Sequence, residues 1–239
     1  MIPARTVDPA ARLMVALDAP DLSASLRIAR RLRGLARTVK VGSSLFTAAG
    51  PAAIARMQAL GFDVFLDLKF HDIPSTVEKS CRAAARHGVA WLTVHASGGP
   101  DMVKAALSGA AEEARRRGAA RPRVLAVTVL TSVAAKDAGS LTRRVVALAS
   151  EARRAGADGV VASAWEAGAI RRRLGRSGVI VCPGIRPHGT ESSDQRRVAT
   201  PGDALRRGAD YLVVGRPVTD ARDPRAVMRG ILHEMEEIQ

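Results

Sequence analysis

Short apolar runs rich in β-branched residues alternate along the chain with longer stretches in which Ala, Leu and Arg recur at helical spacing. The runs predicted as strands cover residues 13–17, 38–41, 64–68, 91–95, 124–130, 159–162, 179–182 and 211–214. Their starts lie about 20–35 residues apart, the length of one strand–helix unit. Most runs are apolar at odd and even positions alike, as in a parallel sheet covered on both faces. Between them the helical stretches are amphipathic: Ile28, Leu32 and Leu35 fall at i, i+4 and i+7. A last stripe of Val227, Ile231, Met235 and Ile238 follows Asp223 as a cap and Pro224 at the first helical position. Several strands are announced by the same punctuation, Gly61-Phe62-Asp63, Gly156-Ala157-Asp158, Gly208-Ala209-Asp210, and Gly88 ahead of Trp91. A glycine there can end the preceding helix in a left-handed conformation. Eight such units predict an α/β protein, a single-domain (β/α)₈ barrel over residues 1–239 with residues 1–10 as an N-terminal tail. An open doubly wound sheet is the alternative. No Gly-x-Gly-x-x-Gly follows the first strand, so dinucleotide binding loses its main support.

Composition narrows the class. A chain of 239 residues buries a core large enough to need no staples. Cys81 and Cys182 are far apart and show no Cys-x-x-Cys spacing, which argues against a disulfide framework. His71, His87, His95, His188 and His233 show no ligand spacing, so no metal is expected. The first ten residues lack a leader's apolar run, and no apolar stretch approaches the ~20 residues that span a bilayer. A soluble, cytoplasmic protein without membrane contact is expected. The net charge of +14 raises nucleic acid as a partner. The basic residues are spread over many helices, and Tyr211 is the only tyrosine, so stacking platforms are scarce and the charge is read as solvated helix faces.

The polar residues at strand ends change the picture most. In a barrel of this kind chemistry sits at the C-terminal ends of the strands. Those ends carry Asp18, Lys40, the pair Asp67 and Lys69 followed by Asp72, His95, Thr131-Ser132, Pro183-Gly184-Ile185-Arg186, and Gly215-Arg216-Pro217. Period-two alternation puts Asp67 and Lys69 on one strand face. Only five lysines occur among 37 basic residues, and two of them, Lys40 and Lys69, lie at strand ends. An ammonium can give up a proton, whereas a guanidinium effectively cannot. The loop after the seventh strand, from Pro183 to Gln195, is long and rich in Gly, Ser and Thr, as a lid over a site would be. The Gly215-Arg216-Pro217 turn matches the phosphate site that barrels build after strands seven and eight.

Taken together these positions resemble the orotidine 5′-phosphate decarboxylase family, the last enzymes of de novo UMP synthesis. The signature is Phe65-Leu66-Asp67-Leu68-Lys69-Phe70-His71-Asp72-Ile73-Pro74. It is supported by Leu17-Asp18, Lys40-Val41-Gly42, Val129-Leu130-Thr131-Ser132, Pro183-Gly184-Ile185-Arg186 and Val214-Gly215-Arg216. The resemblance implies a homodimeric barrel with no cofactor and no metal. It implies catalytic roles for Lys69, Asp67, Asp72 and Lys40, with Asp72 and Thr76 reaching the partner's site. Asp18 and Lys40 would bind the ribose hydroxyls, and Thr131 would lie against the pyrimidine. Gln195 would bridge loop, base and phosphate. Gly215 and Arg216 would hold the phosphate, with Arg186 in the same region.

The expected reaction removes CO₂ from C6 of orotidine 5′-phosphate and leaves UMP, with Lys69 stabilising and then protonating the C6 carbanion. Two rivals remain open at this point. One is a magnesium-dependent sugar-phosphate decarboxylase or aldolase of the same superfamily; these share Asp-x-Lys-x-x-Asp but favour an acidic residue where this chain has Lys40. The other is a basic nucleic-acid-binding barrel without catalysis.

Overall fold

Eight strands pair in parallel, each with its neighbour in sequence, and the last pairs back to the first to close a barrel. They are β1 (Leu13–Ala16), β2 (Thr38–Gly42), β3 (Asp63–Phe70), β4 (Trp91–His95), β5 (Arg123–Val127), β6 (Gly159–Val161), β7 (Val179–Cys182) and β8 (Tyr211–Val214). A computed structural model describes residues 8–133, 137–176, 178–187 and 197–238. All eight predicted strands are present. The fifth is shorter than expected: β5 ends at Val127, and Thr128 leaves it while still bonding the Val161 carbonyl through both its amide and its hydroxyl. Val129 then bends the chain, and Leu130 opens a turn closed by the Val133 amide on its carbonyl. The third is longer, running to Phe70.

Alternation along each strand sorts the residues. Val39 and Val41 of β2, Val64 and Leu66 of β3, and Leu92 and Val94 of β4 face the helices and join the large outer core. Met14, Phe65, Leu125 and Val181, from alternate strands, fill the interior with Ala16, Trp91 and Val213. This layering makes the barrel a packed body and not a pore. Its lower end is plugged where Trp91 meets Tyr211 edge to face at 4.9 Å, with the Arg123 guanidinium 4.7 Å from the Trp91 ring centre.

The repeated Gly-x-Asp punctuation builds the same lower end. Gly61, Gly88, Gly156 and Gly208 all have positive φ, as expected for helix-ending glycines. After three of the helices, the amides of Phe62, Ala157 and Ala209 reach back to Met57, Ala152 and Ala204, the Schellman arrangement. The aspartate that follows ties down a neighbouring strand: Asp158 Oδ2 accepts the Val124 amide and Asp210 Oδ2 accepts the Ile180 amide.

The helices pack as their stripes require. Leu32 is buried at the end of helix Leu22–Leu32, while Leu35 packs from just beyond it. Helix Pro224–Glu236 starts as expected, with Asp223 accepting from the amides of Arg225 and Ala226. Its buried face is Met228, Ile231 and Met235, with Val227 at the margin, and Ile238 falls past its end. Residues 1–7 of the expected tail lie outside the described residues, and Asp8 caps a short helix, Pro9–Arg12.

Candidate active site

At the upper end of the barrel a cavity of about 780 Å³ opens over Ala16, Phe65, Val127, Val161 and Val213. Its walls include Asp18, Lys40, Asp67, Lys69, Thr131, Ser132, Gly184, Arg186, Gly215 and Arg216. Nearly every strand-end residue singled out in the sequence therefore faces one space.

Four charges run across it in alternating sign. Asp18 Oδ1 accepts from Lys40 Nζ at 3.1 Å, Lys40 Nζ lies 3.6 Å from Asp67 Oδ2, and Lys69 Nζ donates to the same Oδ2 at 2.8 Å. Lys40 and Asp67 are each only 9 % exposed. Burial alone would raise the Asp67 carboxyl. Lys40 and Lys69, together with hydrogen bonds from Lys69 and Thr93, outweigh burial and hold it below the ordinary carboxylate range. Gly42 makes room for the first pair, since any side chain there would press on Asp18 and Lys40.

Lys69 reaches this position through an irregular backbone. Pairing with β4 is regular at Phe65–Trp91 and Leu66–Leu92 and resumes at Phe70–Val94, so Asp67, Leu68 and Lys69 stand opposite Thr93 alone. Lys69 has φ of 52°, the only positive value at a non-glycine among the described residues. Such a conformation costs about 1–3 kcal/mol and persists where the surroundings impose it. Asp67 and Lys69 do share a face, as expected, but a bulge and not plain alternation delivers the second of them.

The chain matches the family described as "Orotidine 5'-phosphate decarboxylase / HUMPS family" over residues 11–231. The chain belongs to that family. A relative named orotidine 5'-phosphate decarboxylase from Moorella thermoacetica is 48 % identical over 235 residues, covering 95 % of this chain and 93 % of the relative. One of the same name from Anaeromyxobacter sp. strain K is 49 % identical over 229 residues, covering 93 % and 97 %. Among solved structures, that titled orotidine 5'-phosphate decarboxylase from Lactobacillus acidophilus superposes with a TM-score of 0.82 at 36 % identity, covering 94 % of this chain and 99 % of that one.

The remaining residues that the family resemblance pointed to fall into three groups. Asp72 and Thr76 lie apart from the cavity of their own chain, on an exposed stretch from His71 to Thr76. Asp72 Oδ1 accepts the Ile73 amide at 2.6 Å, and Ile73 itself is 65 % exposed. Gln195, and with it the part of the expected lid from 188 to 195, lies outside the described residues. Gly215 caps the short helix Arg216–Thr219 at the cavity wall. Arg186 is buried, its amide bonded to the Ala199 carbonyl.

Other titratable groups take ordinary places. His95 is half-buried with its ring 5.2 Å from that of His71; burial, then His71 and Lys69, lower its pKa, and Asp67 opposes them. Burial pushes the Cys81 thiol up to about 12 and Cys182 also well above its usual range, which fits core residues and not nucleophiles. Among the described residues no group of three or more His, Cys, Asp or Glu is placed to hold a metal ion, and no helix is long and apolar enough to cross a membrane.

Sequence reasoning missed two features of the site. The first is Thr93, whose inward position on β4 is readable from alternation, since Leu92 and Val94 face out. The second is a tie between two walls. Arg197 donates to Glu166 Oε1 at 2.6 Å and to the Leu130 carbonyl at 2.9 Å, while Ala199 pairs with Ile185. Arg197 is one arginine among many, and nothing in its local sequence marks it.

Proposed function

We propose that orotidine 5′-phosphate binds in this cavity with its pyrimidine against the Asp67–Lys69 pair and its phosphate at Gly215, Arg216 and Arg186. The protein is a carboxy-lyase that converts this substrate to UMP and CO₂ in pyrimidine biosynthesis. The observation that carries the reading is the alternating series Asp18–Lys40–Asp67–Lys69, its two middle members buried, inside a space that also reaches Arg216.

The chemistry is an electrostatic problem. The bond from C6 to the carboxyl carbon breaks, the electron pair stays on C6 in the ring plane, and no neighbouring carbonyl is placed to accept it. Fixed charges must stabilise that pair. The Lys69 ammonium faces it and then transfers a proton to C6, leaving an amine that solvent reprotonates. Asp67 holds Lys69 from one side, and its second neighbour, Lys40, keeps the carboxylate ionised. Because these groups are already paired before substrate arrives, little reorganisation is needed during the reaction.

Asp18 and Lys40 take the ribose hydroxyls, and Thr131 lies against the base. Gln195 links loop, base and phosphate. Binding energy from the remote phosphate is usable at C6 when gripping it orders the charge series. Asp72 and Thr76 complete the site of a partner subunit in a homodimer, which accounts for their exposure here. The whole chain acts as one barrel domain in the cytoplasm, without cofactor or metal. Lys40 supports this over the magnesium-dependent alternative, which favours an acidic residue at that point.

The test is a spectrophotometric assay of orotidine 5′-phosphate in the presence of EDTA. Turnover that survives chelation is expected. Absence of turnover, or loss restored by magnesium, would overturn the reading.

A further inference from the structure

A bulged strand leaves a backbone amide without its ladder acceptor, and a buried amide must be satisfied by something else. At Lys69 the substitute is a side chain. The Lys69 amide donates to Thr93 Oγ1 at 2.9 Å, and the Thr93 hydroxyl donates its own proton to Asp67 Oδ1 at 3.0 Å. Thr93 is fully buried. A hydroxyl has one proton and two lone pairs. Here the proton is committed to one charged residue of the pair and a lone pair to the backbone of the other.

The consequence is geometric. Lys69 Nζ meets Asp67 through Oδ2, and Thr93 holds the opposite oxygen, Oδ1. Rotation of the carboxylate is thereby blocked from the side away from the ammonium. The same hydroxyl fixes the backbone from which the Lys69 side chain springs. Alanine or valine at this position leaves the Lys69 amide and one Asp67 oxygen without these partners, with no change of charge anywhere in the site.

We infer that Thr93 is a positioning residue for decarboxylation, its hydroxyl locking the Lys69 backbone and the Asp67 carboxylate into the relation from which the proton is delivered to C6. The inference rests on the reading of Lys69 as that proton donor.

Four variants in one assay test it: Thr93→Val, Thr93→Ala, Thr93→Ser and Lys69→Ala. Thr93→Val and Thr93→Ala should each lose about 10- to 100-fold in kcat, the scale of a small misplacement of reacting groups. Their affinity for UMP, which lacks the departing carboxylate, should stay within about threefold of the wild type, as for an interaction made only in the transition state. Thr93→Ser, which keeps the hydroxyl, should return kcat to within about threefold. If valine unfolds the chain, the Ala–Ser pair still isolates the hydroxyl. The inference is overturned if the alanine variant keeps its kcat, if serine loses as much as alanine, or if UMP affinity falls in step with kcat. Substantial turnover by Lys69→Ala would instead overturn the proton-donor reading, whatever the Thr93 variants do.

Discussion

A Cβ built on Gly42 would stand 2.7 Å from Asp18 Oδ1, and 2.9 Å from Lys40 Nζ as well. The backbone there, at φ −90° and ψ 179°, suits any residue, so the glycine is not required by conformation. It is required by space that the Asp18–Lys40 pair occupies. Both clashing atoms are ends of flexible side chains, which can move aside. Gly42→Ala should therefore cost less than about 1 kcal/mol in folding, while kcat/KM for orotidine 5′-phosphate drops at least about tenfold. Thermal unfolding and steady-state kinetics on the same preparation check both halves.

The tasks proposed for Lys69 and Arg216 are opposite, and their variants should separate. Lys69→Ala should abolish detectable turnover while UMP still binds. Arg216→Ala should weaken UMP far more than uridine, because it removes a charge-assisted contact to phosphate. Calorimetric titration with the two ligands measures the difference. Equal weakening of both would place Arg216 away from the phosphate.

The proposed sharing of sites between subunits makes an arithmetic prediction. Lys69→Ala and Asp72→Ala should each be nearly inactive alone. Mixed and allowed to exchange subunits, half of the dimers are hybrids, and each hybrid has one site with both residues intact. Activity should recover to about a quarter of the wild type. No recovery after verified exchange would mean that Asp72 serves its own chain.

The depressed Asp67 carboxyl has a consequence for stability. A group that is more acidic folded than unfolded stabilises the native state when ionised. Its contribution is complete above the unfolded value of about 3.9 and is lost as pH falls through the lower folded value. The stability gap between wild type and Asp67→Asn should thus be greatest above about pH 4 and shrink in stronger acid. Urea unfolding of both proteins across that range gives the gap directly.

Glu166 is 4 % exposed and burial raises its carboxyl, with Arg197 pulling it back. Glu166→Ala removes the carboxylate partner of a largely buried guanidinium and leaves it the Leu130 carbonyl. The expected loss is about 3–5 kcal/mol, read from denaturant midpoints. A loss below about 1 kcal/mol would show that Arg197 finds other partners.

The barrel was legible in the sequence because each unit repeats its own signals. Eight two-sided apolar runs require cover on both faces, and the glycines at 61, 88, 156 and 208 stop helices by a local conformational rule that needs no tertiary contact. The charge series was legible because lysine is scarce where arginine is abundant. What escaped notice depends on pairing between strands. The bulge at 67–69 is a mismatch of register between β3 and β4, and neither strand shows it alone. Thr93 looks like any strand threonine until Asp67 and the Lys69 amide are seen on either side of it. The end of β5 is not legible in the sequence because Val129 and Leu130 continue an apolar run whose pairing strand, β6, stops at Val161.

Asp158 and Asp210 fasten strand beginnings, whereas Asp18, Lys40, Asp67 and Lys69 hang from strand endings. Foundations and workshop thus occupy opposite rims of one cylinder. Changes confined to the upper rim therefore leave in place the knots that keep the staves together. A protein engineer grafting foreign loops onto this scaffold inherits the same liberty.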